Sequence, residues 1–130
     1  MSRFLILRMT AALTLGTAAL VGCASTASAP GGVMARDGML AGPNGMTLYT
    51  FDRDTAGSGK SVCNGPCATN WPPLMAGSAS PSGDYSVVTR DDGGKQLAYK
   101  GKPLYYWTKD QKAGDRSGDG VNNVWRLARP

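Results

Sequence analysis

The sequence predicts a mainly β fold: a small single domain built from two pseudo-repeated β-hairpin units packed together, with glycine-rich loops and one short-range disulfide. Three observations carry this. The stretch "LYTFDRD" (Leu48–Asp54) returns as "LYYWTKD" (Leu104–Asp110). The chain after residue 22 has no Glu and no His, and it is rich in Gly, Pro, Asn, Asp and Ser. No window of that region keeps apolar residues at i, i+3, i+4 and i+7, so nothing in it supports an amphipathic helix.

The first element is a leader. Arg3 and Arg8 precede the apolar run "MTAALTLGTAALVG", which has the length of a secretory core and falls short of the ~20 residues that span a bilayer. The run ends in Leu20-Val21-Gly22-Cys23, which resembles the lipobox of bacterial lipoproteins. That resemblance implies a signal peptide over 1–22 and lipid on the Cys23 thiol. Two other readings stand beside it: an uncleaved anchor, or an ordinary signal cut after Ala27–Ala29. The second would leave Pro30, a poor occupant, just past the scissile bond. The lipoprotein reading is preferred.

Without the leader, 14 basic residues less Arg3 and Arg8, against 9 acids, leave a charge of +3. That charge is mild and scattered, and it argues against a nucleic-acid partner. The partner it leaves is a membrane, held through the lipid, with an unknown envelope ligand or protein beyond it. Ala24 follows the cysteine where an Asp would signal retention. In a Gram-negative cell this resembles lipoproteins sorted to the outer membrane, on its periplasmic side. Residues 23–32 carry no large apolar side chain and read as a flexible tether. Residues 33–130 form one β-rich repeat domain with a marginal core.

The repeats run from about 37 to 76 and from about 94 to 130. "LAGPNGMTLYTFDRD" (Leu40–Asp54) matches "LAYKGKPLYYWTKD" (Leu97–Asp110), with one residue dropped in the turn. Further on, "GPCATNWPPLMA" aligns loosely with "GDGVNNVWRLAR", setting Trp71 against Trp125. A unit this short cannot bury an apolar face alone, so the two copies are expected to pack on each other. Turns are expected at Gly42–Gly45, Asp91–Gly94 and Tyr99–Lys102, where Gly and Asn tolerate positive φ. Alternation puts Tyr49 and Phe51 on one side of a strand, with Leu48 and Thr50 on the other; Tyr105 and Trp107 repeat the placement.

A lipobox followed by two Tyr-x-aromatic-x-x-Asp motifs resembles the predicted bacterial lipoproteins with a Yx(FWY)xxD motif, also described as a secreted repeat of unknown function. Tyr49, Phe51 and Asp54 fill the first motif; Tyr105, Trp107 and Asp110 fill the second. "CNGPCATNWPPL" is similar to the family's cysteine-bearing segment. The resemblance implies no activity.

Several residues could carry chemistry. The motif aromatics suit either a core or a ligand-stacking groove. Asp54 and Asp110 open glycine loops, where a carboxylate can accept backbone N–H bonds; if instead they met across the repeat axis, their like charges would raise a pKa. Cys63 and Cys67 read as a disulfide of an exported protein rather than a redox pair, since Cys-x-x-x-Cys is not the usual redox spacing. "DRSGDGVNN" begins like a calcium loop, but Arg126 occupies the position of the bidentate Glu. "GSGKS" lacks the leading glycine of a phosphate loop, having Asp54 there. With no His and no Glu, neither an activated serine nor a mixed carboxylate pair is available, and no cofactor or metal is expected. The expected function is a membrane-tethered, non-catalytic binding or envelope-structural module. The alternative is an envelope redox or metal-handling protein using Cys63, Cys67 and methionines.

Overall fold

A computed structural model describes residues 29–130, with Gly16 alone ahead of them. The expected signal peptide, Cys23 and the first part of the tether lie outside the described residues. Pro30–Gly32, expected within the flexible tether, form a turn of 3-10 helix. A side chain on Gly31 would come within 2.6 Å of Leu97 Cδ1, so this backbone lies directly on the core. Among the described residues, no helix is long and apolar enough to cross a membrane.

Seven short strands follow: β1 (Met34–Arg36), β2 (Met39–Ala41), β3 (Tyr49–Phe51), β4 (Tyr85–Thr89), β5 (Lys95–Tyr99), β6 (Lys102–Pro103) and β7 (Trp125–Leu127). The turns expected at Gly42–Gly45, Asp91–Gly94 and Tyr99–Lys102 are present, each closed by backbone hydrogen bonds or ladder pairs. A fourth turn, unread in the sequence, joins β1 to β2 through Asp37-Gly38, with φ of 51° and 78°. Asp-Gly is the dipeptide that such a two-residue hairpin favours.

The two units hold each other by exchanging strands. β7, the end of the second repeat, pairs antiparallel with β3 of the first, setting Tyr49 opposite Leu127 and Phe51 opposite Trp125. The reverse exchange uses the segment after Trp71: Leu97 N–H donates to Leu74 O at 2.9 Å, and Leu74 N–H to Leu104 O at 2.9 Å. The same two bonds recur in the other half, from Leu40 N–H to Ala128 O at 2.8 Å and from Ala128 N–H to Leu48 O at 2.9 Å. Between the halves, Tyr49 and Tyr105 exchange both of their backbone hydrogen bonds, at 2.8 and 3.0 Å. The pseudo-twofold axis passes between these two residues.

Strand alternation then sorts the core into two parts. Leu40, Leu48, Leu74, Leu97 and Leu104 build an aliphatic cluster with Val33 and Ala128. Tyr49, Phe51, Trp71, Tyr105 and Trp125 build an aromatic one with Met39, Cys63 and Leu127. Leu48 and Tyr49, adjacent in sequence, point into opposite clusters, as period-2 geometry requires. Trp71 and Trp125 are each preceded by a short helical turn, α1 (Pro66–Asn70) in one copy and a 3-10 turn at Val121–Asn123 in the other. The sequence contained no helix signal here because a five-residue turn is too short to leave a period. Its start is set locally, by Gly65 at a φ of 58° and Pro66 at the first helical position.

Candidate functional site

The duplicated motifs converge on the axis, and each is completed by the other. Tyr49 Oη donates to Asp110 Oδ2 at 2.6 Å, while Tyr105 Oη donates to Asp54 Oδ2 at 2.5 Å. The other oxygen of each acid holds its own loop. Asp54 Oδ1 accepts Val62 N–H at 2.8 Å; Asp110 Oδ1 accepts Ser117 N–H at 3.0 Å and the Ser117 hydroxyl at 2.6 Å. Both carboxylates are buried, and both phenols are fully so. The loop-holding role expected of Asp54 and Asp110 is therefore seen, with a tyrosine from the opposite copy added. The two acids do not bond to each other.

The phenols are held in their neutral form. Burial raises the Tyr49 and Tyr105 pKa values well above 10.0, and the hydrogen bonds to Asp110 and Asp54 raise them further. Gly118 N–H donates to Tyr49 Oη at 3.2 Å. Gly118 also has to be glycine on packing grounds, since a Cβ there would lie 2.8 Å from Tyr49 Cε1 and 2.9 Å from Trp71 Cη2. In the other copy Ser61 Oγ lies 2.6 Å from Tyr105 Oη. With the phenolic proton committed to Asp54, the serine is the donor.

Ser61 leads to a residue that sequence reasoning missed. Arg90 is buried at 4% exposure and has no carboxylate in direct contact among the described residues. Its guanidinium donates to Gln96 Oε1 at 2.8 Å, Cys63 O at 2.6 Å, Ser61 Oγ at 3.1 Å and Asn64 Oδ1 at 3.4 Å. Gln96, fully buried, passes the contact on by donating to Leu104 O at 2.7 Å. The buried cation and the buried Asp54 anion are thus linked through Ser61 and Tyr105. Alternation along β4 gave no signal for it, since Ser86, in phase with Val88 and Arg90, is exposed while Tyr85 and Val87 on the other side pack against the core.

The rings form a single column. Phe51, Trp125, Trp71 and Trp107 stack in that order, with centroids 4.3, 3.7 and 3.9 Å apart. Tyr49 meets Trp71 edge-on at 5.5 Å, and Tyr105 meets Trp125 edge-on at 5.2 Å. Pseudo-symmetry relates Phe51 to Trp107, Trp125 to Trp71, and Tyr105 to Tyr49. Of the four motif aromatics only Trp107 is partly open to solvent; the rest are core. Of the two roles left open for them, core describes Tyr49, Phe51 and Tyr105, and Trp107 keeps a partly open ring.

The open concavity lies elsewhere. A groove of about 720 Å³ is lined by Val33, Met34, Leu40, Asp84, Tyr85 and Tyr99, among others, and none of the motif residues borders it. Ala29 and Pro30 form part of its rim.

Cys63 and Cys67 are joined, with Cα atoms 5.2 Å apart, and Cys63 is buried in the aromatic cluster. Met39 is buried in that cluster while Met34 and Met75 are exposed, so these methionines occupy unlike environments. Among the described residues, no group of three or more Cys, Asp or Glu is placed to hold a metal ion. In the calcium-like loop, Asp115 accepts Gln111 and Lys112 N–H, which hold its carboxyl below the usual range, and Asp119 accepts Leu127 N–H. In "GSGKS", Gly57 to Lys60 are exposed while Ser61 is buried, and Gly57 N–H pins the loop to the second copy by donating to Gly101 O at 3.0 Å.

Fold and motif together define a class: a duplicated β module whose halves share one aromatic core and exchange strands to build it. The chain belongs to the family described as a secreted repeat of unknown function, whose model matches residues 32–75 and 86–129. That description supports export of the chain. Both matched spans begin upstream of 37 and 94, because the hairpins β1–β2 and β4–β5 open the two units. No curated protein and no solved structure matches the chain significantly.

Proposed function

We propose that this chain is an exported lipoprotein held at the cell envelope by acylated Cys23. Its folded domain is a non-catalytic module that binds an envelope ligand or protein, or contributes to envelope structure. One observation carries the non-catalytic reading: the motif residues are spent on each other. Both carboxylates are buried and filled by donors from tyrosine and loop backbone. No buried side-chain nitrogen or oxygen among the described residues lacks a partner, so the core presents no idle polar group for a substrate.

The anchor is supported by the Leu20-Val21-Gly22-Cys23 pattern and by the secreted character of the family. The six residue-to-residue steps from Cys23 to Ala29 reach at most about 22 Å when fully extended. A lipid on Cys23 would therefore keep the groove bordered by Ala29 and Pro30 close to the membrane surface, on the periplasmic side of the outer membrane in a Gram-negative cell.

Palmitate labelling and mass spectrometry of the mature N-terminus test the anchor. The expected species begins at acylated Cys23, and Cys23→Ala should lose both the palmitate label and the cut before residue 23. A wild-type chain with an unmodified Cys23, or a Cys23→Ala chain that still takes the label, overturns it. The non-catalytic reading is tested by Asp54→Asn and Asp110→Asn, which should lower thermal stability. Full stability combined with a lost cellular activity would make the acids functional groups instead.

A further inference from the structure

The chain has three tryptophans, and all three stand in the one column with Phe51. Pseudo-symmetry breaks at its ends. Phe51, at one end, is buried and its ring is hard to oxidise. Trp107, at the other, carries an easily oxidised indole and is only partly buried. From Trp107 inward, Trp71 and Trp125 follow at stacking distance, and each of these touches a buried tyrosine.

Packing accounts for buried rings, but it does not require the partner that each phenol has. A buried tyrosine can be satisfied by a backbone carbonyl, whereas Tyr49 and Tyr105 both face a carboxylate, the side chain able to take a proton. That matters because a phenol loses an electron readily only when its proton has somewhere to go. At neutral pH both tyrosines are held as phenols by burial and by these bonds, so a base in contact is required for their oxidation.

We propose that the column is a one-electron relay: an external one-electron oxidant of the radical class takes an electron at Trp107, and the oxidising equivalent moves inward to Tyr49 or Tyr105. The first step converts Trp107 to its radical cation and reduces the oxidant by one electron. In the second, an electron passes from Tyr49 through Trp71 to Trp107, while the phenolic proton moves to Asp110 Oδ2. Trp107 is restored, and the products are a neutral tyrosyl radical and a neutral carboxyl group. Charge balances, because the radical cation and the Asp110 anion disappear together. The path to Tyr105 continues through Trp125 and ends with the proton on Asp54. A quinol-class donor closes the cycle by giving one electron to the tyrosyl, which takes its proton back from the acid, while the donor becomes a semiquinone and releases its own proton to solvent. This electron-transfer role, radical quenching outside the cytoplasm, goes beyond the binding or structural role proposed for the domain and does not depend on the groove or on the lipid.

Flash-quench oxidation of the full-length chain by photogenerated ruthenium(III) polypyridyl tests this, read by transient absorption and electron paramagnetic resonance. The expected result is a tryptophan radical cation that decays into a neutral tyrosyl radical, with a solvent deuterium effect on the second step. Trp107→Phe keeps a ring in the stack and should slow tyrosyl formation by about tenfold or more. Tyr49→Phe and Tyr105→Phe should each reduce the tyrosyl yield. A wild-type radical that stays on tryptophan overturns the relay. So does a tyrosyl signal unchanged by Trp107→Phe and abolished by replacing Tyr85, Tyr99 and Tyr106 with phenylalanine.

Discussion

Tyr49 donates a phenolic hydrogen bond to Asp110, sixty-one residues downstream in the other repeat, across 2.6 Å. Tyr105 returns the arrangement to Asp54 at 2.5 Å. A motif that reads along the chain as one unit, Tyr-x-aromatic-x-x-Asp, is thus two half-sites whose partners lie in opposite copies. The bond is local to the fold's axis and distant in sequence.

Energetic coupling should follow the crossed pairs. Tyr49→Phe leaves Asp110 Oδ2 and Gly118 N–H without a partner in the core, at a cost of about 1–3 kcal/mol. Asp110→Asn places an amide NH2 against donors and should cost a similar ~1–3 kcal/mol. In denaturant double-mutant cycles the Tyr49–Asp110 coupling should exceed the Tyr49–Asp54 coupling. Equal couplings would refute the crossed arrangement.

Alkaline pH should unfold the domain through these same tyrosines. Their folded pKa values lie above the unfolded value of 10.0. Between the two, the unfolded chain has released protons that the folded chain keeps. Their contribution is therefore intact below pH ~10, and stability falls above it by about 1.4 kcal/mol per pH unit for each tyrosine. Tyr105→Phe should shallow that slope by one tyrosine's share, measured by chemical denaturation at stepped pH.

Neither repeat should fold alone as a monomer. Residues 29–80 lack the β7 partner of β3, and residues 81–130 lack the Leu74 segment that bonds Leu97 and Leu104. Each fragment should show no cooperative thermal transition by near-ultraviolet circular dichroism, and the mixture should regain the coupled signal of the tryptophan pair. A cooperative monomeric transition in either fragment would count against strand exchange as the source of stability.

Gly118→Ala should destabilise by about 1–3 kcal/mol, as overpacked cores do. The added methyl would sit 2.8 Å from the Tyr49 ring, between it and Trp71. Removing the disulfide with Cys63→Ser and Cys67→Ser should cost about 2 kcal/mol, the chain-entropy value for so short a loop. Thermal scans of the two variants rank these effects.

The sequence by itself determined the duplication, the hairpin turns, the short disulfide and the sidedness of Leu48 against Tyr49. These are local properties: φ tolerance at Gly and Asn, spacing between cysteines, and a period of two along a strand. It also predicted that the copies pack on each other, since a unit of that length has too little apolar surface to bury alone. Only the tertiary structure decided how they join. Strand exchange, the crossing of tyrosine to the other copy's aspartate, and the burial of Arg90 beside Ser61 all depend on contacts between residues far apart in the chain. Spacing along the backbone contains no information about which of two similar half-sites a side chain will complete. That choice follows from the pseudo-twofold axis, which exists only once Tyr49 and Tyr105 have paired.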